Sequence, residues 1–164
     1  MAPILICINV RHTMKQRDII VANTLTYSGT LPLIGSVVLL QFPTLLPMVG
    51  LDAAFIASTY SAVIISFLCG IHWAVYLFFV DRCPRHLLIR SNVVALLVWV
   101  SLLTGNQLTT LLLQILCFLY LLALDFKLRN AGILAEWFLR LRRNATLIVV
   151  LCLLFIAAVL SWPW

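Results

Sequence analysis

Apolar runs fill most of this chain, and short polar breaks separate them. A membrane-spanning helix needs roughly 17–25 mostly apolar residues. Five runs meet or approach that length, at about 19–42, 53–79, 87–104, 107–124 and 145–162. Alternation at period two is absent, which argues against a transmembrane barrel. Gly105-Asn106 predicts a tight turn, so the third and fourth runs should form an antiparallel hairpin. Pro32 predicts a kink in the first run, where Asn23, Thr26 and Ser28 can satisfy freed backbone groups. The expected fold is an all-α bundle of five spans over residues 19–164, preceded by a flexible extension at 1–18. The first thirteen residues are expected to be ill-ordered, with Met14 opening MKQRD as an alternative start.

Composition strengthens this reading. The chain has 164 residues, 64% hydrophobic and 10% charged, with a mean hydropathy of +1.14. A soluble domain is about a quarter charged and could not bury so much apolar surface at this size. Five cysteines are scattered without a CxxC pair, so a disulfide framework is not expected.

Charge then sets the threading. The net charge of +6 raises nucleic-acid binding, but no basic groove with stacking aromatics is visible. Arg11, Lys15 and Arg17 precede the first span. Arg82, Arg85 and Arg90 lie between the second and third. Lys127, Arg129, Arg140, Arg142 and Arg143 lie between the fourth and fifth. With five spans, all 11 basic residues share one face. The positive-inside rule makes that face internal, with the N-terminus inside and the C-terminus outside. The other face carries Asp52 and the proline-marked FPTLLPMVG, with Trp162 and Trp164 in an outer aromatic belt.

Polar residues inside the spans supply the candidate chemistry. Ser58, Ala62, Ser66, Gly70 and Ala74 form a row of small residues suited to close helix packing. Another face of the same helix collects Ser61, Cys69, His72 and Tyr76. An intramembrane histidine is a functional-site hypothesis by default. Its structural alternative is a neutral imidazole bonded to a serine, a glutamine or a backbone carbonyl. A proton relay would need more ionisable partners, and none lies mid-span. Cys69 and His72 are too few for a zinc site, so neither metal nor cofactor is expected. Gln107, Thr110 and Gln114 share a face that Asp125 continues, and Asn92 shares one with Trp99. A ligand pocket would draw on His72, Trp73, Tyr76, Trp99 and Gln114. Residues 132–143 read as a short interfacial helix before the last span. Ile133, Leu134, Trp137 and Leu141 make its apolar face, and Glu136, Arg140 and Arg143 its polar face. No nucleophile–base pair, phosphate loop or HExxH motif is present, so an enzyme is not expected.

The stretch YSAVIISFLCGIHWA, Tyr60 to Ala74, resembles the signature of a family of small membrane proteins of unknown function. That family occurs in proteobacteria and includes the eukaryotic transmembrane protein sixty-nine. Tyr60, Ser66, Phe67, Leu68, Gly70 and Trp73 carry the likeness, while Cys69 and Ala74 stand where the family pattern has glycines. Gly29, Pro32, Trp99, Asp125, Trp137, Leu141, Arg142 and Thr146 also fit, so the likeness runs from about residue 25 to the C-terminus. It implies a bacterial inner-membrane protein, or a mitochondrial inner-membrane one if eukaryotic, and supplies no activity. The expected function is that of a non-enzymatic accessory or scaffold protein. Its partners would be the lipid bilayer and another membrane protein or a second copy, not nucleic acid. The alternative is a binder or carrier of a small or hydrophobic ligand around His72.

Overall fold

A computed structural model of the chain describes residues 16–42 and 52–161. The expectations for the first thirteen residues, FPTLLPMVG, Trp162 and Trp164 therefore fall largely or wholly outside the described residues. The rest is helical: α1 (Gln16–Ser28), α2 (Leu31–Leu40), α3 (Ala53–Phe78), α4 (His86–Leu103), α5 (Gln107–Asn130) and α6 (Glu136–Ser161). Four of these, α3 to α6, are long and apolar enough to cross a membrane.

The expected first span is two helices. Proline lacks an N–H, and its ring clashes with the carbonyl four residues earlier. For Pro32 that carbonyl belongs to Ser28, where α1 ends. Pro32 itself sits in the first turn of α2, where a missing N–H costs nothing. Instead of kinking one helix, it starts a second. The Tyr60 hydroxyl on α3 donates to the Gly29 carbonyl at the break, 2.9 Å away.

Turn chemistry sets the other ends. Asp52 caps α3 by accepting from the Ala54 N–H at 3.1 Å. Gly105, with φ +68°, and Asn106, whose side chain accepts from the Thr109 N–H at 3.1 Å, make the expected hairpin turn between α4 and α5. The fourth run continues as helix beyond residue 124, because nothing breaks it before Gly132. There the Gly132 N–H donates to the Arg129 carbonyl and the Ile133 N–H to that of Leu128, at 2.9 and 3.0 Å. Gly132 has φ +71°, so α5 closes with a Schellman motif.

The separate interfacial helix at 132–143 is corrected. Residues 136–161 form one uninterrupted helix. They contain no proline or glycine to break it, and Leu139, Leu141 and Arg142 are buried on the face that continues into the last span. Arg129 and Glu136 pair across the connection at 2.6 Å.

Helix α3 is central, packed against α2, α4 and α5, while α6 packs against α5, α2 and α1. The small-residue row does not hold as one contact. Ser58 and Ala62 are buried, whereas Ser66, Gly70 and Ala74 are exposed, and a Cβ built on Gly70 meets nothing within 4 Å. A step of four overshoots one helical turn by roughly 40°, so the row winds around the helix. The face that stays inside steps by three and four: Ala54, Ala57, Ser58, Ser61, Ile65, Leu68, Cys69 and His72. Leu111, Ile115, Phe118 and Leu121 of α5 and Leu153 and Ile156 of α6 belong to the same buried core.

Candidate functional site: a buried His–Asp–Arg cluster

The core carries three ionisable side chains near one end. His72 lies about two turns before the end of α3, Asp125 in the last turns of α5, and Arg142 about two turns into α6. Those ends adjoin the basic connections, so all three sit toward the basic face. Their relative exposures are 1%, 1% and 8%. His72 Nε2 lies 2.8 Å from Asp125 Oδ1, and Arg142 Nε donates to Asp125 Oδ2 at 3.1 Å. One carboxylate therefore joins three helices, with each oxygen bonded to a different partner.

Asp125 as a carboxylate and Arg142 as a guanidinium sum to zero, and a neutral imidazole at His72 can donate its Nε2–H to Asp125 without adding charge. His72 Nδ1 is buried and has no hydrogen-bond partner. Arg142 Nη2 is likewise buried and unpartnered.

A second polar patch lies farther along α3 and α5. Ser58 donates to Gln107 Oε1 at 3.0 Å, and Gln114 donates to the Ser58 carbonyl at 2.8 Å. Thr110 donates to the Ser101 carbonyl at 2.8 Å, holding α5 to α4. Ser61 Oγ and Gln114 Oε1 are buried without partners. Ser61→Ala should leave thermal stability within about 0.5 kcal/mol of wild type or raise it, because it removes an unsatisfied hydroxyl. Ser58→Ala, which breaks the bond to Gln107, should lower it by about 1 kcal/mol. Melting curves of the two variants in one detergent read the contrast. Equal losses would mean that Ser61 also has a bonding partner.

The anticipated pocket residues do not converge. Gln114 lies roughly 16 Å along α5 from Asp125 at the helical rise, bonded within the other patch. Trp99 is 58% exposed on the outside of α4. Trp73 points away from the core and donates to Asn92 Oδ1 at 3.2 Å, so Asn92 serves Trp73. Tyr76 is half-buried near the end of α3. Of the five, His72 alone is in the charged cluster. Its partner is a carboxylate, not a serine, a glutamine or a backbone carbonyl. Asp125 lies on the polar line Gln107–Thr110–Gln114 and so was visible in the sequence as an extension of it. Arg142 read as a topology signal, because five of the basic residues crowd that connection. Among the described residues, no three His, Cys, Asp or Glu side chains are placed to hold a metal ion. The four described cysteines, Cys69, Cys83, Cys117 and Cys152, are free.

Long apolar helices around a buried charge cluster are consistent with the class of α-helical integral membrane proteins. Residues 20–158 match the family described as "Protein of unknown function (DUF3429)", and the chain belongs to that family. No curated protein matches the chain, and no solved structure does either.

Proposed function

We propose that this protein crosses the bacterial or mitochondrial inner membrane five times and serves there as a non-enzymatic accessory or scaffold. The carrying observation is that Asp125 is bonded to both His72 and Arg142. The intramembrane charges are occupied with one another, as in a clasp between helices, and do not surround a reaction space. The fifth crossing is α1 and α2 together. At 1.5 Å per residue, helices of 13 and 10 residues span roughly 35 Å, enough for a bilayer core of about 30 Å. That threading puts Arg17 at the same end as the other basic residues. The inner-membrane placement rests on the resemblance carried by Tyr60 to Ala74.

Two measurements test this reading. An alkaline phosphatase fused after residue 161 should be active, and a fluorescent protein at the same point should stay dark. The reverse result overturns the five-crossing topology. For the scaffold role, chemical cross-linking in intact membranes should join the chain to a membrane protein in fixed stoichiometry. Recovery of the isolated chain alone, in membranes and in gentle detergent, would count against it.

The ligand-binding reading is supported by one observation. His72 Nδ1 and Arg142 Nη2 are both buried and unpartnered, as the polar ends of a small ligand's site would be. Native mass spectrometry separates the readings. A small bound mass that His72→Leu removes favours the binder.

A further inference from the structure

A depression of about 270 Å³ lies between α4 and α5 at the basic end of the bundle. Its lining mixes apolar side chains, Leu87, Leu124 and Leu128, with polar ones, His86, Arg90 and Lys127, beside Pro84. We propose that it binds the phosphate headgroup of an anionic membrane lipid. The proposal rests on the reading that α4 and α5 cross a bilayer.

Three features support it. No acidic side chain lines the depression. Arg90 and Lys127 belong to none of the ion pairs among the described residues, so two cations face one space without a counter-ion. They come from two helices and converge only because α4 and α5 pack together. The first turn of α4 adds to the same field. Its capping residue, Arg85, makes no side-chain bond to it, and the N-terminal end of a helix carries partial positive charge.

The mixed lining selects the source of the phosphate. A soluble phosphate compound would have no use for three leucines beside the cations. A lipid presents its phosphate at the depth where inner-end basic residues lie, and its glycerol and first acyl carbons directly below. Basic pockets between spanning helices on the inner side bind anionic headgroups in this way. Arg90 suits a phosphate through its planar, forked donors, and Lys127 supplies a second charge.

The test is native mass spectrometry of the full chain in detergent micelles, titrated with phosphatidylglycerol and separately with phosphatidylcholine. Wild type should retain phosphatidylglycerol preferentially. Arg90→Gln with Lys127→Gln should weaken that binding on the order of tenfold, given the worth of a basic residue at an anionic surface. Arg140→Gln with Arg143→Gln removes as much charge from the same end but outside the depression, and should change little. Arg90→Lys with Lys127→Arg keeps the charge and should bind, which separates lost recognition from lost folding. Equal retention of the two lipids by wild type overturns the site. So does an equal loss in both glutamine pairs, which would mean diffuse surface charge. Displacement of the lipid by millimolar inorganic phosphate would point to a soluble ligand and overturn the lipid assignment. None of these readouts depends on which side of the membrane the basic end faces, so a failed topology test and a failed lipid test remain distinct.

Discussion

Asp125→Ala is expected to destabilise the bundle by about 3–5 kcal/mol, the range for removing one partner of a buried ion pair. The carboxylate accepts from His72 and Arg142 at 2.8 and 3.1 Å, and both partners are nearly inaccessible. Without it, a guanidinium remains inside the bundle without its counter-charge, and an imidazole loses its acceptor. Asp125→Asn should be almost as harmful. An amide has one oxygen where the carboxylate has two, and its NH₂ would face a donor. His72→Leu should cost less, since it removes a group that can be neutral and leaves the Asp125–Arg142 pair intact. The strongest check is non-additivity. Replacing all three together, His72→Leu, Asp125→Leu and Arg142→Met, should cost less than Asp125→Ala alone, because no charge is then stranded. Unfolding titrated with SDS in mixed micelles measures each variant. An Asp125→Ala protein within about 1 kcal/mol of wild type, far below the range for a broken buried pair, would show that the cluster does not hold the helices together.

The second large effect is expected at Phe118. It is the largest of the fully buried side chains among the described residues, at 1% exposure, in the middle of α5. In a water-soluble core, Phe→Ala costs roughly 3–5 kcal/mol, part of it for transfer of the ring from water and part for the cavity left behind. In a bilayer the transfer part is largely missing, because lipid tails are as apolar as the core. The expected loss is therefore on the order of 2 kcal/mol, from lost dispersion contacts and the void. Phe118→Leu should lose well under half of that. The same SDS titration reads it. Leu116, on the lipid side of α5 at 63% exposure, offers the control, and Leu116→Ala should change stability little. If Phe118→Ala and Leu116→Ala lose equally, the buried face of α5 is not the core of the bundle.

The order of these two effects follows from the solvent. Where the surroundings are apolar, an apolar contact competes with lipid and its net worth is small. A charged contact competes with nothing, since lipid offers the freed partner no hydrogen bond. One carboxylate can therefore outweigh one phenyl ring here.

Much of the fold was legible in the sequence because its signals are local. Apolar runs long enough to span marked α3 to α6, and Gly105-Asn106 marked the α4–α5 hairpin. The polar face Ser61, Cys69 and His72 lies in the core as its spacing suggested. Segregation of basic residues placed their connections at one end. Each of these depends on neighbours within one helix or turn.

Other features depended on what meets what. Pro32 could kink a helix or begin one, and the carbonyl of Ser28 together with the bond from Tyr60 to Gly29 decided for two helices. Residues 136–143 are amphipathic by themselves, so they read as lying on a membrane. In the folded chain Arg142 turns inward to Asp125, and the segment runs on into α6. The row from Ser58 to Ala74 looked continuous on paper, yet only Ser58 and Ala62 are buried. Above all, the partner of His72 lies on another helix and that of Asp125 on a third. By itself the sequence determined that α3 to α6 are long and apolar enough to cross a membrane, because hydropathy is a property of each segment alone. Only the tertiary structure decided that the histidine, the carboxylate and one of several arginines form a single cluster, because register between helices is set by how their side chains interlock.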